Sequence, residues 1–134
     1  MKKTLLALLV MPLLLTSCAT YHLSTDSLVQ QFANTQPERK YTYEPTLFFI
    51  PFSVNGNSLQ TITCLDKNGK ETTFDVTNRT SVRITLTDNS RTTFYFNTLL
   101  IQDSTISGSK THFFEAHIRP IKLRDIAKIE IQKD

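Results

Sequence analysis

Three glycines, two cysteines, three histidines and no tryptophan among 134 residues narrow the chemistry before any motif is sought. So few glycines leave no Gly-rich loop to cradle a phosphate, and no G-x-S-x-G elbow presents a nucleophilic serine. Three scattered histidines, His22, His112 and His117, do not make the three- or four-ligand cluster that zinc requires. In an extended segment from His112 to Ile118, Glu115 and His117 share one face and His112 takes the other. Length excludes a multidomain enzyme and fits one ordinary domain. Long apolar runs are also missing. The longest uncharged one, Leu5 to Leu15, has eleven residues and contains Pro12, whereas a helix needs about 20 to span a bilayer.

That run has another reading. Lys2 and Lys3 precede it and the small or polar residues Thr16-Ser17 follow it, the order of a secretory signal. Leu15-Thr16-Ser17-Cys18 at its end resembles the lipobox of bacterial lipoproteins. The resemblance implies removal of residues 1–17, a diacylglycerol thioether on Cys18 and an acyl chain on its amine. Removal of Lys2 and Lys3 would lower the net charge from +3 to +1, which is no footprint for nucleic acid. With Cys18 acylated, Cys64 is the only remaining thiol and no intramolecular disulfide can form. By the family's sorting rule, Ala19 in place of aspartate implies the outer membrane. The absence of acidic residues in Ala19-Thr20-Tyr21-His22-Leu23 favours its periplasmic face.

The chain therefore divides into residues 1–17 as signal peptide, 18–40 as acylated cysteine, linker and short helix, and 41–134 as a single β-rich domain. Ser24-Thr25-Asp26 supplies N-cap types ahead of Leu28, Val29 and Phe32, predicting a helix from about Thr25 to Asn34 that Pro37 ends. From Tyr41 onward Thr, Ile and Phe dominate. Turns are expected at Asn55-Gly56-Asn57, Lys67-Asn68-Gly69-Lys70 and Asp88-Asn89-Ser90. Leu47–Val54 reads as a strand with an edge or bulge at Pro51. Val82, Ile84 and Leu86, and again Phe94 and Phe96, alternate with polar residues as in half-buried strands. A turn at Arg124 to Ile126 leads into a last strand. The fold class is mainly β: an antiparallel, hairpin-rich sheet or small barrel with one short N-terminal helix. An internal echo sets Ile62-Thr63, Asp66 and Thr72-Thr73-Phe74 beside Ile84-Thr85, Asp88 and Thr92-Thr93-Phe94.

The stretch from Ser81 to the end, with Asp103-Ser104-Thr105-Ile106-Ser107-Gly108, Ile121-Lys122-Leu123 and Asp125-Ile126, is similar to small lipoproteins of Bacteroides-type bacteria. That resemblance implies a compact sheet or small barrel and no particular activity. Cys64, in Thr61-Ile62-Thr63-Cys64-Leu65, reads as a buried small hydrophobe, with a reactive thiol as the sharper alternative. Phe94-Tyr95-Phe96 near Arg83 and Arg91 could stack nucleic-acid bases, but core packing explains it more simply and the compartment argues against nucleic acid. The cluster Phe48, Phe49, Ile50 and Phe52 carries more aromatic surface than one sheet face needs, making it the candidate ligand or partner surface. The expected role is a non-enzymatic interaction or structural module, with the membrane, through the lipid on Cys18, and an envelope protein as partners. The alternative is a carrier of an apolar small molecule or lipid. No cofactor or metal is expected.

Overall fold

The computed structural model describes residues 19–43, 51–111 and 119–133. Strand β1 (Thr20–Leu23) begins immediately after Ala19 and hands over to helix α1 (Thr25–Phe32). Ser24 is the N-cap: its Oγ accepts from the Ser27 N–H at 3.1 Å, satisfying one of the otherwise orphaned first-turn donors. The strands then follow as β2 (Pro37–Tyr43), β3 (Pro51–Asn57), β4 (Thr61–Leu65), β5 (Glu71–Asp75), β6 (Ser81–Leu86) and β7 (Arg91–Tyr95). After them come β8 (Leu100–Gln102), β9 (Thr105–Ser107), β10 (Ile121–Lys122) and β11 (Ile126–Gln132). Short 3-10 turns at Phe96–Thr98 and Leu123–Asp125 lead into β8 and β11.

The main sheet has six antiparallel strands in the order β5-β4-β1-β11-β6-β7, so β5 and β7 are its edges. A three-stranded sheet, β10-β9-β8, and the ribbon β2-β3 complete the fold. This is the expected mainly β class with one N-terminal helix, built as open sheets rather than a closed barrel.

One face of the main sheet is dry. Leu23, Ile62, Cys64, Phe74, Val82, Ile84, Phe94, Ile129 and Ile131 are all buried, as strict alternation along each strand requires. Leu28 and Phe32 of α1, together with Phe96, Leu99 and Ile106, complete the same cluster. Phe32 meets Phe96 edge to face, with ring centroids 5.8 Å apart. Gly108 passes close to this layer: a Cβ there would stand 2.9 Å from both Leu99 Cδ2 and Phe94 Cγ, so a larger residue would force the packing apart.

The internal echo is present in the fold, but with a corrected register. The β4-β5 and β6-β7 hairpins match at a constant spacing of twenty residues, pairing Ile62 with Val82, Cys64 with Ile84, and Phe74 with Phe94. Similarity of residue types alone sets Ile62 against Ile84 and Asp66 against Asp88. Turn geometry fixes the true register. Gly69 (φ 77°) and Asn89 (φ 66°) hold the same left-handed position, and Asp66 N–H to Lys70 C=O corresponds to Leu86 N–H to Ser90 C=O.

Other expectations shift locally. Residues 18–40 are not a linker plus helix alone, because Thr20–Leu23 lies in the middle of the sheet and β2 starts at Pro37. Asn55-Gly56-Asn57 is not a turn but the end of β3, paired with Arg39, Glu38 and Pro37. Asn57 is buried there because its side chain donates to the Phe96 and Leu99 carbonyls, at 2.9 and 3.0 Å, and accepts from the Leu59 N–H. Phe96 is buried but belongs to the 3-10 turn rather than to β7. The helix ends at Phe32, two residues before the expected Asn34. Of the expected strand Leu47–Val54, the part from Pro51 onward is described.

β1 meets β4 at a single pair, His22 with Leu65, before the chain turns into α1. Gln31 takes over from there. Its side-chain amide donates to the Thr63 carbonyl and accepts from the Thr63 N–H, both at 2.8 Å, reproducing the two bonds of a strand partner. Gln31→Ala should strand both half-buried backbone groups and destabilise the fold by about 1–3 kcal/mol. Denaturant unfolding of the two proteins measures this, with a shifted midpoint at unchanged slope as the expected result.

Candidate functional site

Cys18, the expected lipidation residue, lies outside the described residues, as do Phe48, Phe49 and Ile50. Phe52 sits on β3 opposite Thr42, but its side chain is likewise outside the described part. His112 and His117 fall there too. The structure therefore neither assembles nor disperses the aromatic surface. What it does define is the point where the chain leaves Cys18, the environment of Cys64, and the outer face of the main sheet.

Thr20 pairs with Gln132 of β11, and Gln132 in turn pairs with Ser81 of β6. The first described strand thus starts two residues after Cys18, at one end of the six-stranded sheet. Continuing the antiparallel register of His22 with Leu65 brings the β4-β5 turn beside Thr20 on its other side. This end carries Lys67 and Lys70 on that turn and Lys133 just beyond Gln132, all exposed. Lys133 is held with its Nζ 5.2 Å from the Phe74 ring centroid, a cation–π contact. Asp66 turns inward: its carboxylate accepts from the N–H groups of Asn68 and Lys70 at 2.8 and 2.9 Å. The bond from Lys70, foremost, holds that carboxyl below its usual range.

Beyond Ser81 a surface depression of about 610 Å³ opens along the β7 edge, lined by Arg79, Arg91, Tyr95 and Lys110 among others. Of its cations Arg79 and Lys110 lie toward the Thr20 end, since Arg79 stands two residues before Ser81 and the Tyr95 N–H bonds to the Ser109 carbonyl next to Lys110, whereas Arg91 lies at the other end of β7.

Cys64 occupies the slot that Ile84 fills in the matching hairpin. It is 3% exposed, and burial pushes its thiol up to about 11. Only the thiolate is strongly nucleophilic, so this is an environment that suppresses reactivity. On the outer face, Glu130 lies between cations, with Lys128 Nζ 2.9 Å and Arg83 Nη1 4.0 Å from its carboxylate oxygens. The hydrogen bond from Lys128, above all, lowers its pKa. His22 pairs with Glu130 in the strand register. Among the described residues no three His, Cys, Asp or Glu side chains come together as a metal site, and no helix is long and apolar enough to cross a membrane.

No family model, curated protein or solved structure matches this chain.

Native protein at neutral pH should resist a thiol reagent at Cys64 and react fully once unfolded, a difference that mass spectrometry of the labelled chain would read. Rapid native labelling would contradict the burial. Because the Glu130 pKa is depressed in the folded state, its contribution to stability is present above the ordinary value of 4.5 and is lost as pH falls through the folded value. Glu130→Gln should therefore flatten the acid limb of a stability-against-pH curve, measured by chemical unfolding at a series of pH values.

Proposed function

We propose that the protein is a bacterial lipoprotein, anchored through acylated Cys18 at the periplasmic face of the outer membrane, where it acts as a non-enzymatic interaction or structural module. The observation that carries this reading is the junction at Cys18. Lys2-Lys3, the apolar run and the lipobox end there, and two residues later Thr20 is already paired in the centre of the sheet. Acylation supplies the membrane affinity. Each buried methylene contributes about 0.8 kcal/mol, so one chain holds marginally and two or three hold firmly. Confinement to the membrane surface then raises the effective concentration of the module near membrane-borne partners.

The carrier alternative rests on Phe48, Phe49, Ile50 and Phe52 and enters as an outcome of the experiment. Intact mass spectrometry of the protein purified from membranes should show a chain starting at Cys18 and bearing two or three acyl chains. An unacylated mass would overturn the anchor. In-cell crosslinking beside a Cys18→Ala control should recover a discrete envelope protein that the control loses. A reproducibly bound small molecule without a protein partner would favour the carrier instead.

A further inference from the structure

We propose that the Thr20 end of the main sheet docks directly on the anionic headgroups of the leaflet that holds the Cys18 acyl chains. The proposal rests on the lipidation reading for its geometry and on the structure for its surface. Two residues span at most about 7 Å, so an acylated Cys18 leaves no room for a flexible spacer between lipid and fold. Thr20 is paired with Gln132 of β11 and belongs to a strand that lies between β4 and β11 in the sheet. The groups around it are therefore held near the bilayer surface.

Those groups are cationic. Lys67 and Lys70 lie on the β4-β5 turn and Lys133, its ammonium over the Phe74 ring, follows Gln132, the partner of Thr20; Arg79 and Lys110 continue this side past Ser81. Among the described residues the acidic ones there are Asp66, whose carboxylate accepts from its own hairpin turn, and Glu71, and Asp134 follows Lys133 in the sequence; the five cations outnumber these three. Leu65, last residue of β4 before that turn, is 45% exposed. Lysines at one sheet end beside an exposed aliphatic side chain match a headgroup region, where charge attracts and an apolar group finds hydrocarbon. The opposite end is mixed in charge: Asp26, Asp75, Asp88 and Asp125 lie there with Arg91, Lys122 and Arg124, and Arg124 is 3.8 Å from Asp125.

The test uses the protein purified from membranes, placed in vesicles of phosphatidylcholine alone or with about 30% phosphatidylglycerol. Amide hydrogen exchange is followed in the Asp66–Lys70 turn and at Gln132–Lys133, with the Asp88–Ser90 turn at the far end as internal reference. Exchange at the Thr20 end should slow about fivefold or more in the anionic vesicles, and about 0.5 M salt should reverse it. The combined variant Lys67→Glu, Lys70→Glu, Lys133→Glu should lose the effect, while arginine at the same three positions keeps it. The arginine variant guards against loss through misfolding. Equal exchange in both vesicles, with acylated Cys18 confirmed by mass, would overturn the docking and leave the anchor standing. An unacylated mass would remove the anchor. Co-sedimentation of that same protein with the two vesicle types would then decide the surface, a preference of about tenfold for the anionic ones supporting it and no preference overturning it.

Discussion

The pairing of β1 with β11 joins the two halves of this fold. On one side of that seam stands the β4-β5 hairpin, on the other β6-β7, and the seam itself runs Thr20 with Gln132 through Leu23 with Ile129. Neither hairpin has other strand partners in the main sheet, and a lone two-stranded hairpin is marginal in water at best. Closing the seam brings together residues more than a hundred positions apart in the chain. The entropy cost of such a loop grows only slowly with length, but the pairing is non-local and must wait for the segments between to find one another. β1 is only four residues long, and Gln31 completes what it is too short to do.

The twofold character of the sheet explains features that look functional in isolation. β5 and β7 have nearly the same burial pattern, and their Thr-Thr-Phe runs occupy the same rows. Cys64 is then the counterpart of Ile84: a small apolar filler on the dry face, with burial raising its pKa as it would any thiol there. Thr63 and Thr73 face each other on the outer side, their hydroxyl oxygens 2.7 Å apart, a cross-strand pair that supports the hairpin where no core does. The two turns solve one geometric problem with different residues. Gly69 takes the left-handed conformation without a Cβ, while Asn89 is among the few side chains that tolerate it.

Much of this was legible in the sequence wherever local chemistry decides local structure. The N-cap at Ser24, the alternation along β6, and the turns at Gly69 and Asn89 each follow from a few adjacent residues. Strand β1 was not legible, because Thr-Tyr-His-Leu is too short to show a period and its place depends on a partner at the other end of the chain. Asn57 misled for a related reason. Asn-Gly ordinarily signals a turn, but here the asparagine is drawn into the interior by two carbonyls from the Phe96–Leu99 segment. The echo slipped because matching similar letters set Ile62 on Ile84, whereas the hairpin register is set by which residue must turn left-handed. The proposed lipidation rests on a contiguous motif, Leu15-Thr16-Ser17-Cys18. The cationic rim was not, since Lys67, Arg79, Lys110 and Lys133 are scattered along the chain and only the sheet order gathers them.

A tether of two residues would change what anchoring accomplishes. A long flexible linker gives a domain a high local concentration but leaves its orientation free, so any face can meet a partner. Attachment at the end of a central strand restricts both position and tilt, and part of the orientational entropy of binding is then lost in advance of any encounter. Which surfaces remain available becomes a property of the topology. In the proposed docking, with the Thr20 end against the headgroups, the end bearing Asp26, Asp88 and Asp125 would point away from the membrane, together with the start of α1. The order of strands in the sheet, more than the length of any linker, then decides which side of this protein a partner approaches.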